Sequence, residues 1–476
     1  MNANVLNAVE KEAAERGLWQ DGDTIIAAVS GGPDSMALLH MLHMLAVPRR
    51  LRTIAAHVNH GFRGDESAAE LELVKRYAEK LGVPCETTTL ALTTYIEENA
   101  LNLQAAAREK RYAFLHEVAK RYGASRVALA HHGDDQAETV LMRVIRGAGL
   151  PGLSGIPAKR TENNVELIRP LLRMNKSDLL AYCEEGDIPY STDSSNLERH
   201  YFRNTVRLDI LPYLSQFNPQ LPLSLQRLAE VAGEEDDFMA SQAASAFETV
   251  VRVEDGEYAV SCRDLQGLHI ALQRRLIKLI LSYLSQDTEN ISWSGIERMR
   301  FAAATEAPST WRHDAGSGVR CLREYDTMRW IKIPPEGGGL EPGRYVYEIR
   351  EGMAYIHAVS AGWTFRLQWL DAASSGRPRP ASRSEAIFDA SELRFPLMIR
   401  NRLPGDRIHV LGLNGSKKVQ DMFVDEKIPP SGRATYPLLC DSEGRLLWIP
   451  GIRRSSHALA GEGSRKLLHI TASTGE

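Results

Sequence analysis

Apolar positions in the first 150 residues alternate between two periods. Short β-branched or small apolar runs occur at Thr24–Ala28, Thr53–Val58, Val83–Leu90 and Arg126–Ala130. Between them lie longer stretches with helical spacing: Asn4–Leu18 (Val5, Leu6, Val9, Ala13), Asp65–Gly82 (Leu71, Val74, Tyr77, Ala78, Leu81), Asn102–Gly123 and Asp134–Gly147. Such alternation predicts an α/β fold, a doubly wound parallel sheet whose ligands sit at the carboxyl ends of the strands. Beyond Pro212 the alternation stops. Leu221–Leu284 reads as mainly helical, Pro334–Gly339 as a break, and Ser374–Ser384 as a basic linker. From Arg394 onward, short strands surround one helix at Gln420–Glu426, a small mixed α/β domain. The expected domains are 1–215, 216–384 and 385–476.

The stretch Thr24–Met44 organises the first domain. A buried strand runs into Ser30-Gly31-Gly32-Pro33-Asp34-Ser35 and then into a helix carrying Met36, Leu38, Leu39 and Leu42. A glycine pair at such a turn permits positive φ and close approach of an anion to the main chain. The helix start supplies unpaired N–H groups and a positive dipole end. Ser30 and Ser35 add hydroxyls. Asp34 repels phosphate unless a cation bridges them, which Mg²⁺ would do. As a structural alternative, Asp34 is an N-cap. No Walker A pattern occurs. SGGPDS instead resembles the PP-loop of ATP pyrophosphatases, which cleave ATP between the α and β phosphates.

Other candidates carry competing readings. His57, His60, His131 and His132 stand at strand ends, suited to phosphate or substrate contacts or to structural roles, and their spacing fits no standard zinc site. Gly147–Gly152 matches G-x-G-x-x-G, but it follows a helix, and Pro151 and Gly152 oppose a helix starting within it. Arg199, Arg203 and Arg207 repeat at helical spacing, either a solvated face or a contact to ATP or RNA phosphate. Five separated cysteines, with no C-x-x-C, argue against a disulfide framework, a zinc ribbon or a thiol-relay pair. The formal charge of −4 hides an asymmetry: Arg394–Glu476 carries +5 and the rest −9, as a basic binding module would. The amino terminus lacks a signal-peptide layout and no apolar run spans a bilayer, so a cytoplasmic location is expected.

Together these motifs resemble the tRNA(Ile)-lysidine synthetases over nearly the full length. They are SGGPDS, HVNHGFR (57–63), AAAREKRY (105–112), AHHGDDQAET (130–139), RPLL (169–172), DSSN (193–196), FRNTVR (202–207), RNRLPGDR (400–407), GSKKVQDMFVDEKIP (415–429) and WIPG (448–451). The resemblance implies ATP-dependent adenylation of the wobble cytidine of a CAU-anticodon isoleucine tRNA at its C2 oxygen. Free L-lysine then attacks C2, leaving lysidine, AMP and pyrophosphate. ATP and Mg²⁺ are the expected cofactors, and a homodimer is allowed. Asp34, His131, Asp135 and Arg203 are the expected catalytic residues, with Asp34 also the metal residue. The Ser30–Ser35 loop and His57 should hold ATP. Asp135 and Glu138, i and i+3 on one helix, should seat the lysine ammonium, with Arg108 on its carboxylate. Asp135–Glu138 also fits a capping box. Arg199, Arg203, Arg207, Lys417 and Lys418 should contact tRNA. A thiolase or an amidotransferase synthetase would need a cysteine pair or an ammonia-producing domain, and neither is evident. A non-catalytic RNA binder leaves the acidic cluster at Asp134–Glu138 without a purpose.

Overall fold

The computed structural model describes residues 2–59, 65–90, 103–192, 202–285, 291–305, 310–333, 344–372, 379–412 and 415–474. His60, Asp193–Asn196, Arg199, Pro334–Gly339 and the first part of the expected linker, 374–378, lie outside them. Packing divides the chain into two compact units, Met1–Ala240 and Ser241–Glu476.

In the first unit the expected alternation forms α1 (Asn2–Arg16), β1 (Thr24–Ala28), α2 (Pro33–Ala46), β2 (Arg52–Asn59), α3 (Asp65–Lys80) and β3 (Cys85–Thr89). It continues with α4 (Leu103–Tyr122), β4 (Arg126–Ala128) and α5 (Gly133–Ile145). β1 pairs in parallel with β2 and β4, and β2 with β3. Successive residues of a strand face opposite sides of the sheet, so each central strand feeds two cores. Ile25, Ala27, Ala55 and Ala128 join α1, α2 and α3 on one face. Ile26, Ile54, Ala56 and Val127 join Tyr112, Leu115 and Val118 of α4 on the other. That two-sided burial is why β1 reads as an uninterrupted apolar run.

A hairpin, β5 (Lys159–Glu162) and β6 (Val165–Ile168), completes the sheet in the order β3-β2-β1-β4-β6-β5. β6 is parallel to β4, but β5 runs antiparallel at the edge, so the sheet is not wholly parallel. The turn Asn163-Asn164 has φ of 49° and 63°, the pattern of a type I′ hairpin. A four-residue helix, α6 (Leu150–Leu153), does begin inside the G-x-G-x-x-G match. Pro151 lies in its first turn, where a missing N–H costs nothing. The unit ends with α7 (Lys176–Glu185), α8 (Phe202–Thr205), a π-helical turn (Val206–Ile210), α9 (Leu211–Ser215) and the start of α10 (Leu221–Val250). Leu225 and Ala229 of α10 pack with Val140, Leu141 and Val206, which carries this compact unit past the boundary expected at 215.

The second unit opens with a hairpin, β7 (Val251–Glu254) and β8 (Glu257–Ser261), which interrupts the expected helical stretch. Its turn is Asp255-Gly256 with φ of 49° and 78°, again a hairpin signature. These strands form an antiparallel sheet with β9 (Thr310–Gly316), β10 (Val319–Glu324) and β11 (Thr327–Lys332). Helices α11 (Cys262–Gly267), α12 (Ile270–Leu284) and α13 (Trp293–Ala304) cover it around Trp330, Ile280 and Met299. Two further antiparallel sheets share a core of Phe365, Phe388, Trp448 and Leu468. In them β12 (Val346–Ile349) pairs with β14 (Leu397–Arg400), and β13 (Trp363–Asp371) with β15 (Lys466–Thr474). The boundary expected at 384/385 therefore falls inside shared sheets. Here α14 (Val419–Asp425) matches the helix expected at Gln420–Glu426. Among the described residues no helix is long and apolar enough to cross a membrane.

Gln136 ties α5 to the loop before β5, since its amide donates to Ile156 O and accepts from Ile156 N. Gly155 has φ +65°, and a Cβ there would land on that amide. Gly155→Ala should therefore destabilise the first unit by about 2–4 kcal/mol through backbone strain and overpacking. Urea unfolding followed by circular dichroism reads this as a lowered midpoint.

Candidate active site

Polar groups gather where β1, β2 and β4 end. The loop after β1 is held by its serines: Ser35 Oγ donates to Gly32 O (2.9 Å), Ser30 N donates to Ser35 Oγ (3.1 Å), and the two hydroxyls lie 3.1 Å apart. Of the glycine pair only Gly31 takes positive φ, +97°. Gly32 is the N-cap of α2 in an extended conformation, and a Cβ there would meet only Ser30 Oγ at 3.7 Å. The second glycine thus keeps the approach to the helix start open. Asp34 lies inside the first turn and makes no cap, so its N-cap reading falls. Its carboxylate instead accepts from Lys176 Nζ at 2.7 and 2.6 Å.

At the end of β4, His132 caps α5, and its N–H donates to Asp135 Oδ2 (3.1 Å). The capping contact therefore joins His132 and Asp135, not Asp135 and Glu138. His132 Nε2 also lies 3.8 Å from Asp34 Oδ2, and its Nδ1 3.4 Å from Asp134 Oδ2. Burial lowers the His132 pKa, but the Asp134 hydrogen bond and the charges of Asp135 and Asp34 outweigh it and raise it.

Asp135 and Glu138 do face one way, and two arginines already hold them. Arg203 Nε donates to Glu138 Oε2 and Arg203 Nη2 to Asp135 Oδ1, both at 2.8 Å. Arg207 donates to Glu138 Oε1 (2.5 Å) and Oε2 (3.1 Å), and to Asp135 Oδ1 at 3.3 Å. The Glu138 side chain is 2% exposed and the two arginines 39% and 33%, so the carboxylate is buried beneath a guanidinium lid. Val206, fully buried against Ala137 and Val140, anchors the π-helical turn that carries Arg207. Irregular helical turns of this kind are frequent at functional sites. Burial would raise the Asp135 pKa, yet His132, Arg203 and His131 hold it below the ordinary carboxylate value.

A second group of cations lines α4 and the end of β6. Arg108 and Arg111 lie over the Tyr112 ring, 4.9 and 5.5 Å from its centroid. Burial, with Arg108 nearby, lowers the pKa of both Arg111 and Arg169. Among the described residues no carboxylate pairs with any of these three within 4.0 Å. Arg111 Nε, Arg169 Nε, Tyr112 Oη and His131 Nδ1 are buried without a hydrogen-bond partner. The His131 pKa falls to about 4, mainly through burial, with Arg169, Arg203 and Arg111 adding to the fall and Asp135 opposing it. His57 is buried, with Nδ1 2.9 Å from Val29 O and Nε2 unpartnered. The arrangement suits a polyanion: an anion seat at a helix start, beside guanidiniums that have no carboxylate partner among the described residues.

The expected residues Asp34, His131, Asp135, Glu138, Arg203 and Arg207 thus converge, and Arg108 stands with Arg111 and Arg169. Lys417 and Lys418 belong to the second unit. Lys417 pairs with Asp425, and exposed Lys418 caps α14. Sequence reasoning passed over Lys176, Arg111 and Arg169 as site residues. Arg111 and Arg169 lie within recognised motifs, AAAREKRY and RPLL, whereas Lys176 has no local signal. Among the described residues no cluster of three His, Cys, Asp or Glu side chains could hold a metal. Asp34 alone suits Mg²⁺ that takes its other ligands from phosphate and water.

A PP-loop domain family matches residues 2–214, and a TilS substrate C-terminal domain family matches residues 397–470. The chain is 38% identical to a tRNA(Ile)-lysidine synthase of Bacillus licheniformis, covering 91% of this chain and 90% of that protein. It is 36% identical to one of Bacillus subtilis, covering 94% of each. A solved TilS C-terminal domain is 24% identical with a TM-score of 0.26, covering 28% of this chain and 99% of that one.

The depressed His131 pKa sets a pH dependence. Between pH 6.5 and about 4 the unfolded chain binds a proton that the folded chain refuses. Stability should therefore fall as pH drops through that window. His131→Gln should flatten the dependence, as read from urea midpoints at pH 7 and pH 5.

Proposed function

The chain belongs to the tRNA(Ile)-lysidine synthase family, so it uses ATP to form lysidine on isoleucine tRNA, and we propose how its residues divide that work. The observation that carries the reading is the meeting, at one sheet edge, of an anion seat, a buried carboxylate pair and arginines that have no carboxylate partner among the described residues. An amide-like C2=O is a poor electrophile with no good leaving group. Adenylation of the C2 oxygen supplies one, and pyrophosphate departs into the Ser30–Ser35 loop. Asp34 would hold Mg²⁺, which would neutralise phosphate charge, and the buried, unpartnered Nε2 of His57 would contact the nucleotide. Lysine attack at C2 then expels AMP.

Two readings of the acidic pair and the arginines merge here. In the free chain Asp135 and Glu138 are held by Arg203 and Arg207. Phosphate or the cytidine of bound tRNA draws the arginines away, and the two carboxylates become the seat for the lysine ammonium. Arg108, with Arg111 and Arg169 beside it, takes the lysine carboxylate in a fork. Neutral His131, at the edge of both groups, contacts the reacting cytidine. Arg199 extends the tRNA contact, and Lys417 and Lys418 add affinity in the basic tail. The functional division remains an ATP-dependent catalytic part, a middle part and a tRNA-binding tail, acting in the cytoplasm.

Incubation with isoleucine tRNA, ATP and labelled lysine, followed by nucleoside analysis, tests the reaction: label should appear in lysidine, and a chain that leaves cytidine unmodified would refute it. Asp34→Ala should abolish pyrophosphate release while tRNA still binds. Glu138→Gln should raise the KM for lysine about tenfold or more, since hydrogen bonds to charged groups contribute about 1.5–3 kcal/mol. Pyrophosphate release without lysine should survive in that variant; a fall in it would assign Glu138 to ATP instead. Replacing Lys417 and Lys418 with Ala should weaken tRNA binding and reduce its salt dependence.

A further inference from the structure

Lys176 stands at the first position of α7, and its backbone is fixed independently of its ammonium. Its N–H donates to Asp134 Oδ2 (2.8 Å), and Gly133 N donates to Met174 O (2.7 Å) just before it. The same segment holds the Ser30–Ser35 loop, with Ser191 N donating to Gly31 O (2.9 Å) and Cys183 Sγ 3.5 Å from Pro33 O. From this rooted position the side chain spans to Asp34 and places Nζ between both carboxylate oxygens, at 2.7 and 2.6 Å. Lys176 remains 37% exposed and Asp34 23%, so neither is sealed in. Among the described residues His132 Nε2 also lies 3.8 Å from Asp34, and Arg207 senses its charge from farther away.

An ammonium on both oxygens of a carboxylate stands where a divalent cation would bind. The two cannot share Asp34 without strong repulsion at this separation. Lysine is a compact point charge on a flexible stem, suited to moving between anions without changing its root. We propose that Lys176 is the resting counter-ion of Asp34, and that it exchanges with the divalent cation when the nucleotide binds. The cation takes the carboxylate, and the Lys176 ammonium turns to the phosphates that leave as pyrophosphate. The exchange keeps Asp34 neutralised both before and after ATP arrives. It rests on the reading of Asp34 as the metal residue given above.

The test uses Mn²⁺ as the probe, with the full-length chain and electron paramagnetic resonance to separate free from bound ion. Without nucleotide, Lys176→Met should bind Mn²⁺ about tenfold more tightly than the native chain, because a charge-assisted bond no longer competes. Lys176→Arg, which keeps the charge, should stay near the native value. Adding Asp34→Asn to Lys176→Met should abolish the gain. With a non-hydrolysable ATP analogue and Mg²⁺, Lys176→Met should bind the analogue about tenfold more weakly, as expected for loss of a charged phosphate contact. Unchanged Mn²⁺ affinity in Lys176→Met would overturn the exchange, and unchanged analogue affinity would overturn the phosphate contact. If Asp34→Asn alone leaves Mn²⁺ binding to the analogue complex intact, it is the metal reading of Asp34 that fails.

Discussion

The site depends on how buried carboxylates are neutralised. Glu138 is almost wholly inaccessible, and burying an unpaired carboxylate would cost several kcal/mol. Arg203 and Arg207 remove that penalty and in doing so fasten the π-helical turn onto α5. Asp34 is treated likewise by Lys176, and Asp134 by His132 and the Lys176 N–H. Glu138 and Asp34 therefore each meet a cation from a distant chain segment, whereas Asp134 is held by its near neighbour His132 and by a backbone N–H from α7. Each such pair is also a contact that an incoming ligand of matching charge can displace.

The cations of α4 and β6 show the opposite condition. Arg108, Arg111 and Arg169 crowd around Tyr112 with no carboxylate in reach among the described residues. The Tyr112 ring and the Pro157 carbonyl offset part of their burial and mutual repulsion, and an entering anion would offset more. The parallel strands bring both kinds of imbalance to one edge, since β1, β4 and β6 end side by side. The Ser30–Ser35 loop follows β1 at the same end of the sheet and is braced by its own hydroxyls.

Much of this was legible in the sequence because it rests on local patterns. The strand–loop–helix at Thr24–Met44 and the helical periods of α1, α3 and α5 are written in their spacing. The hairpin β5–β6 was missed because four-residue strands carry little periodic signal, although Asn163-Asn164 marked its turn. Asp255-Gly256 marked β7–β8 in the same way. Pairings distant in sequence left no local trace: Lys176 lies 142 positions from Asp34. The regular spacing of Arg203 and Arg207 suggested a face open to phosphate. Nothing local revealed that the same face closes on Asp135 and Glu138.

The central claim is that the carboxylates meant for lysine are already paired in the free chain and are released by tRNA. Calorimetric titration of lysine addresses it most directly. The account predicts no measurable lysine binding to the free protein, and binding once isoleucine tRNA and a non-hydrolysable ATP analogue are present. Lysine binding of equal affinity in both states would contradict it, because the arginine pairs would then be no barrier to the pocket.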